Sequence, residues 1–325
     1  MRFRPLILAA VLAAGQLAGC VAVSVVLAPP PLSLATGTAG GDYHPVGNAI
    51  CRMYNLAGAH EARPCVAVSS AGSVDNIRRI GRGASVFALA QADVAHAAYR
   101  GEGPFASAGA AGRLRALIAL HPEAYTVVAR ADAGIGGFRD LRGKRVGVGS
   151  SGAGYPFTRD VVLRAHAWTT AELGPVLELA PEEQEQALCG NLVDAVFFVA
   201  GHPNGVTQGV TAGCRAKVVS VAGEPVDRLV ATHPWYFATS IPAGMYAGNP
   251  DAVPTFGTRA VLLASADLPD EVARAVVQAV IENFADFRRL HPVLSPLTPK
   301  GLVPVGAMPI HPGALDSYRK AGLVP

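Results

Sequence analysis

The chain has 325 residues, 50% of them hydrophobic and 16% charged, with a net charge of +3. That length accommodates two lobes of ordinary domain size, and the apolar fraction excludes a disordered chain. The near-neutral balance gives no basic stripe for nucleic acid. The densest basic group, Arg78, Arg79 and Arg82, reads as a solvated helix face.

Arg2 and Arg4 precede an Ala-rich apolar run from Leu6 to Gly15, and Leu17-Ala18-Gly19-Cys20 follows. This order is an export signal, so residues 1–30 are set apart from the folded body. The last four residues resemble a lipobox, which would lipidate Cys20 and tether the mature chain to a membrane. Val21 to Ala28 stays apolar where a lipoprotein usually carries a polar tether. An uncleaved anchor from Leu6 to Ala28, long enough to span a bilayer, and ordinary cleavage therefore stay open beside lipidation. Four further cysteines, Cys51, Cys65, Cys189 and Cys214, suit an oxidising compartment. They allow three pairings. Joining sequence neighbours, Cys51–Cys65 and Cys189–Cys214, is the simplest.

Strands and helices alternate after Pro29-Pro30-Pro31. Leu32–Thr36 is a strand, the loop to Asp42 is glycine-rich, and a helix with Pro45 in its first turn runs to about Asn55. Val66–Ser69 is a strand. Val74–Arg82 is a helix with Val74, Ile77 and Ile80 on one face, and Ser73 fits its N-cap. Ser85–Ala90, Leu114–Leu120 and Tyr125–Arg130 read as strands. A second unit of the same kind follows: a strand at Arg145–Val148, a Gly/Ser loop at Gly149–Gly154, helices at Phe157–Ala167 and Glu182–Cys189, and strands at Asp194–Val199 and Lys217–Val221. Pro269–Leu290 reads as one long helix with Val272, Val276, Val280 and Phe284 on one face. Pro312–Ala321 closes the chain as a short helix. The pattern predicts an α/β protein of two lobes, 31–120 plus 232–325 and 121–231, with ligand bound between them at strand carboxyl ends.

Most chemical motifs fail. Gly147-Val148-Gly149-Ser150-Ser151-Gly152 matches GxGxxG, but the acidic partner of a dinucleotide site is missing from the expected strand end. Gly143-Lys144 lacks the rest of a phosphate-binding loop. The run Gly149–Ala153 puts Ala where a nucleophile elbow needs Gly. The nine histidines are dispersed, with no HExxH or CxxC, so no metal or cofactor is expected. The first loop is richer: Thr36–Pro45, TGTAGGDYHP, combines three Gly, two Thr and Tyr43, which suits close approach of a ligand to bare backbone. The loop Ser69–Ser73 repeats the small and hydroxyl residues.

In order and spacing, TGTAGGDYHPVGNAI (Thr36–Ile50), SSAGSVDNIRRIGRG (Ser69–Gly83), ALAQADVAHAAYRGEGPF (Ala88–Phe105), DLRGKRVGVGSSGAG (Asp140–Gly154), IPAGMYAGNPDAVPTFGT (Ile241–Thr258) and PIHPGALDSYRKAGL (Pro309–Leu323) resemble the TAXI family of TRAP transporter solute receptors. The resemblance implies a two-lobed type II periplasmic-binding-protein fold with a hinge and an interlobe cleft. It also implies a non-enzymatic, monomeric receptor that binds a small organic anion such as glutamate, glutamine or 2-oxoglutarate. Such a receptor delivers its cargo to ion-gradient-driven membrane subunits. By similarity the cleft is lined by Thr36, Gly37, Thr38, Gly40, Gly41 and Tyr43, then Ser70, Ser73 and Gln91, and from the second lobe Ser150, Ser151, Gly152, Ala153, Gly154 and Tyr155. Gly152-Ala153-Gly154-Tyr155 lacks the hydroxyl that the family usually carries there and adds an aromatic, which points to a bulkier or less polar cargo. A ligand sensor of the same fold and an exported hydrolase are the alternative readings.

Overall fold

A computed structural model describes residues 29–58, 63–306 and 308–325. The leader, with Leu6–Ala28 and Cys20, lies outside the described residues. The body opens with β1 (Leu32–Ala35), α1 (Tyr43–Leu56), β2 (Cys65–Val68), α2 (Ser73–Gly81), β3 (Phe87–Gln91) and α3 (Ala92–Arg100). β1 pairs in parallel with β2 and β3, so each strand runs the same way and empties into a loop and a helix. α1 buries Val46, Ala49, Ile50 and Met53, spaced by three and four, and turns Asn48 and Arg52 to solvent.

Next comes β4 (Leu114–Arg130), one strand of 17 residues where the sequence predicts two. The misleading residue is Pro122, which donates no ladder hydrogen bond. It sits beside a register shift between β4 and β10 (Val253–Ser265) at Arg259 and Val261, the kind of irregularity that accommodates proline.

The second unit contains β5 (Val146–Val148), α4 (Tyr155–Ala165), β6 (Val176–Glu178), α5 (Pro181–Cys189), β7 (Ala195–Ala200), α6 (Gly205–Gly213), β8 (Ala216–Val219) and α7 (Glu224–Thr232). β9 (Phe237–Ile241) and β10 follow, then α8 (Asp270–Glu282), α9 (Phe284–Arg289) and α10 (Pro312–Lys320). The expected single helix Pro269–Leu290 is two. Asn283 breaks it with φ −106° and ψ 27°, and its Nδ2 donates to the Ala279 carbonyl at 2.9 Å, a side-chain bond that competes with the helix ladder.

The sheet runs β2-β1-β3-β10-β4-β7-β5-β6, with β8 added on β4 and β9 on β10. β4 and β10 are antiparallel partners that thread both halves. β10 pairs with β3 over Ala260–Ala264 and with β9 over Val253–Gly257. β4 hands over from β10 to β7 at Ala124. The cores separate accordingly. One, around Leu34, Ile50, Leu89, Leu262 and Tyr318, draws on the chain before Leu120 and after Ala260. The other, around Tyr125, Val146, Phe197 and Phe256, draws on residues 125–256.

The two neighbour pairings of cysteine are present: Cys51–Cys65 pins α1 to β2, and Cys189–Cys214 joins the ends of α5 and α6. Closing loops of 14 and 25 residues, each contributes about 3 kcal/mol by restricting the unfolded chain.

Candidate functional site

Six helices, α1 to α6, begin at the wall of one cavity of about 230 Å³ between the two halves. The parallel βα arrangement produces this. Each strand delivers its loop to the same sheet edge, and each following helix starts there with its positive dipole end.

Of the sequence-predicted residues, Gly37, Thr38, Gly40, Gly41 and Tyr43 line the cavity from the first loop. Gly41 N donates to the Thr38 carbonyl at 3.1 Å and closes the turn. Tyr43 lays its ring along the wall and donates its hydroxyl to Glu123 Oε2 at 3.0 Å. Ser73 and Gln91 also line the cavity. The N-cap reading of Ser73 is corrected: Gly72 caps α2, and Ser73 Oγ instead accepts from Gln91 N at 3.1 Å, tying α2 to the end of β3. From the second half come Ser150, Ala153, Gly154 and Tyr155.

Four expected residues are not at the cavity wall. Thr36 is fully buried and donates to the Val68 carbonyl at 2.9 Å. Ser70 donates to the Thr36 carbonyl at 3.1 Å and so braces the first two loops against each other. Ser151 points to solvent. Gly152 turns its carbonyl to the start of α2, where it accepts from Val74 N at 3.1 Å and Asp75 N at 3.2 Å. Gly152 is thus a bond between halves. Gly72 makes room for it, at φ 117° and with Ala153 Cα only 3.2 Å from where a Cβ would stand.

Several lining residues escaped the sequence reading. Asp42 lies in the quoted first loop. Its Oδ2 accepts from Gly201 N across the cleft at 3.0 Å. Glu123 is 3% exposed in the middle of β4; the signal for it was a lone acid inside a long apolar strand. Gln184 on α5, Phe198 and Val199 at the end of β7, and Asn204 before α6 complete the second half of the wall. Asn204 Oδ1 caps α6 by accepting from Thr207 N at 3.1 Å.

No Arg, Lys or His is among the lining residues. Among the lining groups, the helix starts are what favours an anion. Burial, opposed by the Gly201 N–H, holds the Asp42 carboxyl up at about 6. Burial also pushes Glu123 well above the usual carboxylate range. The sign follows from linkage. Folded Asp42 binds its proton more tightly than the unfolded chain, so its contribution to stability is complete below about pH 3.8 and lost as pH rises through about 6. Glu123 and Tyr246 are the titratable groups that sense its charge. Asp42→Asn is therefore expected to remove part of the fall in melting temperature between pH 4 and 6, measured by paired thermal melts. Parallel wild-type and variant curves would show Asp42 to be solvated.

Residues 34–322 match the NMT1-like family. The chain belongs to that family. Solved structures with the same architecture are periplasmic binding proteins. MatC from Rhodopseudomonas palustris, solved with bound malate, is 14% identical over 91% of this chain and 99% of its own, with a TM-score of 0.55. BugD is 16% identical over 90% and 98%, with a TM-score of 0.53. The aliphatic sulphonate binding protein SsuA from Escherichia coli is 13% identical over 91% and 94%, with a TM-score of 0.50. At such identities the likeness carries the fold: this NMT1-like chain has the α/β periplasmic-binding-protein fold. Among its described residues no helix is long and apolar enough to cross a membrane.

Proposed function

We propose that this NMT1-like protein is the extracytoplasmic solute receptor of a TRAP-type secondary transporter, of the TAXI kind that its loop sequences resemble. It captures a small organic acid in the cleft and passes it unchanged to membrane subunits. The observation that carries this reading is the cleft itself. Six helix starts surround a 230 Å³ cavity, smaller than the ~300–1,000 Å³ of drug-sized sites. Contacts made only between the halves, Asp42 to Gly201 and Gly152 to α2, hold it shut. Opening breaks those bonds and closing excludes water, which strengthens polar contacts to a bound anion.

The lobes we assign are residues 31–120 and 121–231 with the C-terminal segment returning to the first. Packing supports one change to the expected limits: Tyr236, Ile241, Tyr246, Val253 and Phe256 are buried in the second lobe's cores, so 232–256 goes with 121–231. A ligand carboxylate is held by N–H groups of the helix starts, by Thr38 and Ser150 hydroxyls, and by Gln184. Tyr155, Phe198 and Val199 cover its body. The wall's Ser73 and Ser150 have no histidine beside them among the lining residues, which favours binding over turnover. Export and anchoring through Cys20 belong to the same reading.

A thermal-shift screen against organic acids and amino acids tests it, followed by calorimetry on each hit. Binding to the native state alone adds about 2.7 kcal/mol at a hundredfold excess over Kd. A hit recovered unchanged is expected, and Tyr155→Ala is expected to weaken it at least tenfold with the fold intact. A hit that is consumed would make the protein an enzyme.

A further inference from the structure

A second cavity lies behind the cleft. Gln91 lines the cleft and donates at 3.2 Å to Asp93, which lines the second cavity. Its volume is about 390 Å³, within the ~300–1,000 Å³ typical of small-molecule sites. Both halves build it: α3 comes from one, α4 and α7 from the other, and the segment after α7 closes it. The halves touch beside it, where a Cβ on Gly103 would stand 2.6 Å from Phe157 Cε2. One wall is aromatic. His96 stacks on Trp235 with ring centroids 3.9 Å apart, and His233 meets the same indole edge-on at 5.2 Å. Phe157, Val161 and Leu229 extend the apolar surface. The charge is opposite in kind to that of the cleft wall. Arg164 and Arg228 line the cavity and are exposed. Arg164 has no ion-pair partner among the described residues. Arg228 pairs with Glu224 one turn earlier on α7, an exposed pair of the kind that contributes little. Of the two acids in the lining, Asp93 is enclosed by four hydrogen-bond donors and Glu102 faces Arg100 at 3.8 Å.

We propose that this cavity is a second ligand site, which takes a small aromatic carboxylate: the ring lies along the Trp235 wall and the carboxylate meets Arg164 and Arg228. An aryl ring gains burial and offset or edge-to-face contact with the aromatic wall. The carboxylate gains charge-assisted hydrogen bonds from guanidinium groups, the stronger kind and often bidentate. An uncharged ring leaves both arginines unanswered, and an ammonium group is repelled by them. An occupant grips both halves at once, because α3 stands on one side of it and α4 and α7 on the other. The two cavities share no lining residue, so this site stands whatever the cleft binds.

The test uses three probes with one body and different charge: phenylacetate, 2-phenylethanol and 2-phenylethylamine. The chain has two tryptophans. Trp168 packs on Phe138 away from this cavity, so the Trp168→Phe protein reports from Trp235 alone. Calorimetry at neutral pH gives affinity, and Trp235 emission gives location. Phenylacetate is expected to bind saturably with a change in Trp235 emission, at least tenfold tighter than the alcohol, and the amine is expected not to bind. Arg164→Gln combined with Arg228→Gln is expected to weaken phenylacetate at least tenfold with the melting temperature nearly unchanged. Tyr155→Ala, directed at the cleft, is expected to leave phenylacetate binding as in the wild type. No saturable phenylacetate binding at millimolar concentration overturns the site. Equal affinity for the alcohol overturns the carboxylate assignment, and so does wild-type affinity in the folded double-arginine variant. Loss of binding in Tyr155→Ala with retention in the arginine variant places the acid in the cleft, which overturns the second site and leaves the receptor reading standing.

Discussion

Gly154→Ala is expected to lower ligand affinity by about a hundredfold or more while leaving the melting temperature of the ligand-free protein nearly unchanged. A Cβ on Gly154 would stand 2.1 Å from Gln91 Oε1, 2.7 Å from Gln91 Cδ and 2.8 Å from Ser73 Oγ. Those atoms cannot move aside easily. Gln91 is 2% exposed, and its amide donates to Asp93 at 3.2 Å and to Thr158 at 3.0 Å. Gly154 sits at φ −89° and ψ −34°, where alanine is comfortable, so the substitution adds no backbone strain. The clash exists only when the loop before α4 meets the ends of α2 and β3, that is, when the cleft is shut. An open form tolerates the methyl group. Calorimetry gives the affinity, and small-angle scattering with saturating ligand shows whether the variant still compacts. Wild-type affinity would mean that this loop does not close onto Gln91 and Ser73.

The second large effect is expected at Asp93, where Asp93→Ala should cost about 4 kcal/mol of stability. Asp93 is 1% exposed. It accepts four hydrogen bonds: from Thr158 Oγ1 at 2.6 Å, Tyr236 OH at 2.9 Å, Gln91 Nε2 at 3.2 Å and Val94 N at 2.9 Å. Burial raises its proton affinity and these donors oppose the rise. The donors come from α4, from the segment before β9, from the end of β3 and from α3, so one carboxyl ties the two halves behind the cleft. Alanine leaves several of them buried without an acceptor, at about 1–3 kcal/mol each. Chemical denaturation measures the loss. Tyr236→Phe, which removes one donor and strands none, should cost only about 1 kcal/mol. An Asp93→Ala loss under 1 kcal/mol would show that water replaces the network in solution.

Gln91 links these two results. It faces the cavity and also belongs to the Asp93 network, so the cleft wall and the buried network share one side chain. The two variants separate its roles, because Gly154→Ala strikes the cavity side and Asp93→Ala the buried network.

The order of strands and helices could be read from residue pattern because it depends on neighbours. Apolar spacing of three and four in α1, proline in a first turn and glycine-rich loops after short apolar runs are local properties. The first loop and the loop before α4 stood out for the same reason, a run of small residues at a helix start, and both line the cavity. Cysteine parity made the two disulfides the simplest choice. Where local signals misled, the cause was a breaker tolerated by its surroundings. Pro122 sits at a bulge inside β4. Gly257 in β10 is required because a Cβ there would be 2.6 Å from the Glu123 carbonyl.

By itself, then, the sequence determined the α/β class and the loops that face the cleft, and its resemblance reached the periplasmic-binding-protein fold but not the NMT1-like family that the chain belongs to. Only the tertiary structure decided which loop atoms face inward and what charge the cleft carries. Tyr43 meets Glu123 across 80 residues of chain and Asp42 meets Gly201 across 159. Gly152 looks like a ligand glycine in the sequence and is a helix cap in the fold. Such pairings depend on how two separately nucleated cores come together along β4 and β10, and no local pattern of side chains encodes that distance.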